Sequence, residues 1–326
     1  MSKKMNSPKP RTITYRGKTY SHCSPLVLDK KVYFEIDDSS IDRRRYKNVV
    51  KVFDPSTKML RAVRFRDRGA FTEMRNLALA ARANRNVPEV IAFGRSELGD
   101  FLVTPWIEGE CTLEIYLRRA KENGRKPHFI VDDSYRMILG LIKGLLRLHK
   151  IGLVHGDLHP ENLLVGHGNR LMMIDFGSAW NAERARRKSK SEKPGYTAPE
   201  QWRQESLVDH RADQFSVNVI FYRMLTGKIP YGAIGGQADP ASPPPYEPPG
   251  SLNREVWPAL DRVITRGLSL VKENRFDTSE EWLREFEAAG DKGPWHEIVD
   301  KARMGIDEIS YLLRQARRKV FGEKAD

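Results

Sequence analysis

The stretch His155-Gly156-Asp157-Leu158-His159-Pro160-Glu161-Asn162, with Ile174-Asp175-Phe176-Gly177 downstream, constrains this chain more than any other. An Asp and an Asn five positions apart stand on a loop, and the apolar run Leu163-Leu164-Val165 follows at once. A second Asp comes eighteen positions after the first, at the end of the hairpin that the flanking apolar runs imply. Loops that interrupt buried strands hold reactive groups rigidly and leave them reachable. Two carboxylates and a carboxamide gathered there suit magnesium and a phosphate chain, because magnesium takes hard oxygen ligands.

A chain of 326 residues is long enough for two packed lobes or domains and a substantial core. With 40% hydrophobic and 30% charged residues, it has the composition of a soluble globular protein. The net charge of +13 favours polyanions in principle, but the basic residues are scattered and no aromatic-interleaved nucleic-acid motif accompanies them. Nucleic acid is therefore not expected as a partner; an acidic protein substrate or a membrane face stays open. Cys23 and Cys111 form no disulfide framework, which fits a reducing compartment. Neither a signal-peptide core near Met1 nor a run of membrane-spanning length occurs, so a cytoplasmic protein is expected.

In chain order, residues 1–22 are polar, basic and proline-containing, and read as a flexible basic tail. Val32–Ile36, Asn48–Phe53 and Met59–Phe65 are β-rich runs, with a turn at Asp54-Pro55-Ser56-Thr57. A helix then carries Phe71, Met74, Leu77 and Leu79, with Glu73 in its first turns. Phe101 to Gly109 reads as a buried strand. From about Asp132 to Lys150 a helix presents Ile138, Leu141, Ile142, Leu145, Leu146 and Leu148 at core spacing. Ser178 to Tyr196 is short and basic, with Ser189 and Ser191 inside its charge run, which reads as a solvated segment. Phe215 to Leu225 is an apolar helix; Gly235 to Gly250, rich in proline, is polyproline II or irregular. Closing helices run from Leu252 to Ala289, and Trp295 to Phe321 is a last amphipathic helix within 291–326.

His155-Gly156-Asp157…Asn162, Asp175-Phe176-Gly177 and Ala198-Pro199-Glu200 stand in the order and spacing of a protein kinase, which the chain resembles over roughly residues 30 to 290. The resemblance implies an α+β, two-lobed fold, with a small β-rich lobe over 23–104 and a larger helical lobe over 105–290. ATP and Mg2+ would lie between them. It makes Asp157 the base or orienter of the attacking hydroxyl, and Asn162 and Asp175 the magnesium ligands. Glu73 would pair with a strand lysine. Lys51 is preferred over Arg64, which sits in the more family-like Ala62-Val63-Arg64 but has the wrong side chain. Thr104 would border the adenine, read by the Pro105 carbonyl and by the Ile107 amide and carbonyl. Thr197 would hydrogen-bond Asp157, Glu200 would pair with Arg275, and Asp213 would bond the backbone of His155 and Gly156.

The departures carry information too. No Gly-x-Gly-x-x-Gly precedes the strands, and Asp37-Asp38-Ser39-Ser40 stands where a phosphate-covering loop belongs. Gly156 replaces the arginine that grips a loop phosphate, so activity is expected not to require phosphorylation after Gly177. His159 replaces a lysine that touches the transferred phosphate, and His-Gly-Asp-Leu-His-Pro is similar to small-molecule and lipopolysaccharide-sugar kinases. His155, Asp157 and His159 also admit a reading as a metal cluster, but the downstream Asp-Phe-Gly accounts for the loop better. The expected reaction is phosphate transfer to a protein serine or threonine. The alternatives are a sugar acceptor, or a catalytically weak pseudokinase that serves as a binding module.

Overall fold

The computed structural model describes residues 11–15, 18–28, 31–35, 49–54, 59–66, 70–96, 99–106, 111–122, 131–182, 193–203, 207–232, 237 and 241–291. Its N-terminal part is one antiparallel sheet. The strands are β1 (Arg11–Tyr15), β2 (Lys18–Leu28), β3 (Lys31–Glu35), β4 (Val49–Asp54), β5 (Met59–Arg66), β6 (Ala92–Ser96) and β7 (Gly99–Pro105). They lie in the order β1-β2-β3-β4-β5-β7-β6. The expectation of a flexible tail over 1–22 is corrected here, since β1 and the start of β2 occupy residues 11–15 and 18–22. Charge masked the signal: Thr12-Ile13-Thr14-Tyr15 is a β-branched and aromatic run, which a pleated surface favours.

Between β5 and β6 lies helix α1 (Ala70–Ala83), whose buried Leu77 and Ala80 face the rest of the protein. The remainder is mainly helical. Strand β8 (Cys111–Thr112) leads into α2 (Leu113–Glu122), and α3 (Val131–Lys150) buries Ile138, Leu141, Ile142, Leu145 and Leu148 as their spacing predicts, while Leu146 is only half-buried. After β9 (Leu153–Val154) comes the hairpin of β10 (Leu163–Gly166) and β11 (Arg170–Met173), in the register Leu163↔Met173 to Gly166↔Arg170. Strand β12 (Trp180–Asn181) returns to pair with β9.

Helix α4 (Pro199–Trp202) precedes α5 (Arg211–Thr226), which is buried nearly all round. A helix buried on every side must find partners for its polar groups, and most here do, although Gln214 Oε1 has none among the described residues. Ser216 Oγ donates to Tyr196 O at 2.9 Å and Gln214 Nε2 to Phe276 O at 3.0 Å. Helices α6 (Pro249–Leu252), α7 (Pro258–Gly267) and α8 (Ser279–Ala288) close the core against α3 and α5. Residues 241–248 of the proline-rich stretch are irregular, and Glu247 O is held by the Tyr222 hydroxyl at 2.8 Å.

One buried ion pair ties the region together. Arg275 donates to both oxygens of Glu200, at 2.7 and 2.9 Å, as expected. Its Nε and Nη1 also donate to Ser269 O and Arg211 O, and its guanidinium lies over the Phe215 ring. A buried guanidinium needs such full use of its donors to offset lost hydration. No described helix is long and apolar enough to cross a membrane. The amphipathic segment Trp295 to Phe321 lies outside the described residues.

Candidate active site

The loop 155–162 is suspended from helix α5. Asp213, in the first turn of that helix, is fully buried, and its Oδ1 accepts from Gly156 N at 2.8 Å. Its Oδ2 accepts from His155 N at 3.0 Å, and His149 Nε2 lies 2.9 Å away. Burial alone would raise this carboxyl's pKa, but the hydrogen bond and charge of His149 win and lower it. Asp213 therefore stays an acceptor, and the two amides before Asp157 are fixed. This is the role expected of it.

His155 joins the two halves of the site. Its Nε2 lies 3.1 Å from Ile174 O, while Asp157 N donates to its Nδ1 at 3.4 Å. Only the tautomer protonated at Nε2 satisfies both contacts. Both nitrogens are thus committed to holding backbone, which leaves neither for a metal. Ile174 N in turn donates to Asn162 O at 3.0 Å. The residue before Asp175 is gripped from both ends of the Asp157 loop.

Asn162 Nδ2 donates to Asp157 O at 2.9 Å and to Asp157 Oδ2 at 3.2 Å. Its amide nitrogen is used on the 155–162 loop itself, and its carbonyl oxygen is uncommitted among the described residues. Asp175 adopts φ 63 and ψ 75, left-handed values that a residue other than glycine holds at a cost. Its Oδ1 accepts from Gly177 N at 3.3 Å, which partly offsets that cost. Asn76 of α1 supports the same turn, donating to Phe176 O at 3.2 Å and Ala179 O at 2.9 Å. Asp157, Asn162 and Asp175 thus belong to one hydrogen-bonded unit.

Gly156 has a physical explanation. It sits at φ +71, and a Cβ there would fall 1.9 Å from Trp180 Cζ3. The indole of Trp180 occupies the room in which a side chain at 156 would start. Trp180 is held by its pairing with Val154, and Ala182 N donates to Gly152 O at 2.6 Å. The start of the segment after Gly177 is anchored by the protein's own packing.

His159 is buried, with Nε2 3.6 Å from Asp157 Oδ1 and Nδ1 4.0 Å from Glu161 Oε2. Burial, with the charge of Lys193 adding to it, pushes its pKa down to about 4, so the imidazole is neutral near pH 7. Thr197 differs from expectation. Its hydroxyl accepts from Lys193 N at 2.8 Å and donates to Lys193 O at 3.2 Å, rather than reaching Asp157. The cause is local: Tyr196 N and Thr197 N both bond Lys193 O, and this turn brings the hydroxyl back on its own start. Gln201, which follows Ala198-Pro199-Glu200, donates to Gly156 O at 2.9 Å and ties α4 to the 155–162 loop.

The sheet residues fall as follows. Lys51 of β4 stands opposite Ala62 of β5, and Ala62 opposite Thr104 of β7. These three positions share one row across the sheet, and Ala62 and Thr104 are buried. Arg64 is opposite Val49 and Leu102, two positions along the same strand from Ala62. Glu73 is buried in the first turn of α1, the helix that follows the strand carrying Arg64. Pro105 ends β7 opposite Arg61, whereas Ile107 and the segment Asp37 to Ser40 lie outside the described residues. Sequence reasoning missed Asn76, His149, Trp180, Lys193 and Gln201. Each acts through a contact distant in sequence, or through a turn that composition does not mark.

The protein kinase domain family matches residues 58–242, more than half of the chain. The chain belongs to the protein kinase domain family. A probable serine/threonine-protein kinase of Clostridium acetobutylicum is 30% identical over 226 residues, 66% of this chain and 32% of the relative. Serine/threonine-protein kinase pkn3 of Myxococcus xanthus is 28% identical over 250 residues, 72% of this chain and 42% of that protein. PknL of Mycobacterium tuberculosis is 34% identical over 157 residues, 47% of this chain and 37% of its own. The chain thus spans about a third of the length of the first two curated relatives it matches.

Proposed function

We propose that this chain is a catalytic domain that transfers the γ-phosphate of Mg-ATP to a serine or threonine hydroxyl of a protein. The observation that carries this reading is the bond from Asn162 to Asp157, in a loop tied through His155 and Ile174 to Asp175. Phosphoryl transfer asks mainly for positioning and charge stabilisation, and this unit supplies rigid oxygens at three defined points.

The donor set fits magnesium. Asn162 has its amide nitrogen committed and its oxygen uncommitted among the described residues, and Asp175 adds a carboxylate on a turn fixed by Asn76. Hard oxygen ligands from so few protein groups suit an ion that keeps waters and shares phosphate oxygens. When bound, magnesium would neutralise charge on the triphosphate. Asp157 orients the acceptor hydroxyl and accepts its proton. His159, neutral, offers a hydrogen bond at the acceptor side. Lys51, Glu73, Thr104, Pro105 and Ile107 form the nucleotide side of this reading, in a cleft between a β-rich lobe (23–104) and a helical lobe (105–290). The row Lys51–Ala62–Thr104 supports Lys51 as the phosphate-binding cation, with Arg64 as its rival.

The segment Tyr196 to Glu200 is docked on the Asp157 loop through Gln201, which donates to Gly156 O, and is fixed by Ser216 and Arg275; this placement favours a polypeptide acceptor. The small-molecule reading rests on Gly156 and His159. A single acceptor assay separates the readings: labelled ATP and magnesium with generic protein substrates, and in parallel with sugar acceptors. Label on serine or threonine of the protein is the expected result. Label only on sugar gives the second reading, and nucleotide binding without transfer to any acceptor gives a binding module.

A further inference from the structure

Outward from Asp157 the next carboxylate on the loop is Glu161, which reaches to 4.0 Å from the imidazole that itself lies 3.6 Å from Asp157. Glu161 thus stands one imidazole away from where Asp157 would receive an acceptor hydroxyl. Left alone, Glu161 would attract a lysine or arginine flanking that hydroxyl. It is already matched: Lys193 Nζ donates to Glu161 Oε2 at 2.8 Å.

Lys193 is held in place at its backbone. Thr197 Oγ1 takes its N–H and donates to its carbonyl, and Tyr196 N and Thr197 N bond that carbonyl at 3.0 and 3.1 Å. Thr197 thus has work that does not involve touching Asp157. The pair remains reachable, with side chains 38% and 37% exposed. In the sequence, Arg184, Arg186, Arg187, Lys188 and Lys190 precede Lys193 and carry the same charge.

We propose, on the reading that this site phosphorylates protein hydroxyls, that Lys193 closes Glu161 to basic acceptors, and that the hydroxyls taken are those flanked by acidic residues. A basic flank must displace Lys193 and leaves two cations competing for one carboxylate. An acidic flank can share the ammonium, which has three donors and spends one on Glu161, so Lys193 need not move. Discrimination of this kind uses repulsion as well as attraction.

The test is binding, read by fluorescence anisotropy with two serine peptides that differ only in acidic or basic flanks. The full chain should bind the acidic peptide about tenfold or more tighter at low salt, with the ratio shrinking as salt rises. Lys193→Ala should bring that ratio down to about threefold or less, by freeing Glu161 for the basic peptide. Lys228→Ala, which removes one exposed lysine elsewhere, should leave it unchanged. Equal or tighter binding of the basic peptide by the wild type would overturn the proposal. So would a ratio that Lys193→Ala leaves intact, since the net charge of +13 would then explain it. Because binding is read without turnover, a failure of phosphate transfer appears only in the acceptor assay and is distinguishable from a failure here.

Discussion

Two ion pairs bracket the segment from Lys193 to Glu200, and their distances are nearly the same. Arg275 meets Glu200 at 2.7 Å, and Lys193 meets Glu161 at 2.8 Å. Their settings are opposite. The first is buried, bidentate and backed by carbonyls and an aromatic face. The second is single and more than a third exposed. Distance therefore says little about what a pair does. Burial makes the Arg275 pair an anchor that the fold cannot release, and exposure makes the Lys193 pair a contact that a ligand can compete for.

Substitutions should separate the two. Arg275→Ala leaves Glu200 buried without its partner and is expected to cost about 3–5 kcal/mol in denaturant unfolding. A loss within experimental error of zero would break the contrast at its stronger end. Gly156→Arg, which restores the side chain usual in the family, must displace Trp180 from 1.9 Å and accept a left-handed backbone. A cost of about 1–3 kcal/mol is expected, partly recovered by Trp180→Ala in the same chain. Unchanged stability would mean that the indole moves freely.

His159 adds a graded effect. Its pKa falls from the ordinary 6.5 to about 4 in the fold, chiefly through burial. Between those values the unfolded chain binds a proton that the folded one refuses, so stability falls as pH drops from about 6.5 to about 4 and levels off below. Melting curves of His159→Gln should lack this part of the slope, and an identical slope would contradict the assignment. Lys193→Met comes last, at under about 1 kcal/mol, because exposed pairs contribute little to stability. A larger loss would show that the pair anchors the fold as Arg275 does.

The sequence made the anchored parts legible and hid the adjustable ones, for physical reasons. Asp213, Glu200 and Arg275 stand in fixed order around family motifs, and the structure joins them as that order implies. Helix α3 and the β10–β11 hairpin follow from apolar spacing alone. Trp180 over Gly156 and Asn76 under Phe176 are contacts between distant segments, which no local pattern announces. Resemblance points Thr197 at Asp157, but the turn from Lys193 to Thr197 directs its hydroxyl to Lys193. Strand β1 was read as tail because its basic and proline-rich surroundings outweighed a short β-branched run. Register sets Lys51 opposite Ala62 and Arg64 two positions further along the same strand as Ala62, a pairing that single-strand composition does not contain.

The central claim is that Asp157, Asn162 and Asp175 work as one phosphate-transfer unit, with Asp157 facing the acceptor hydroxyl. The most direct measurement compares wild type with Asp157→Ala in transfer of label from Mg-ATP to a protein serine or threonine, with melting curves taken alongside. The account predicts a loss of about a hundredfold or more in turnover while the fold melts as before. Transfer at the wild-type rate by Asp157→Ala would contradict it.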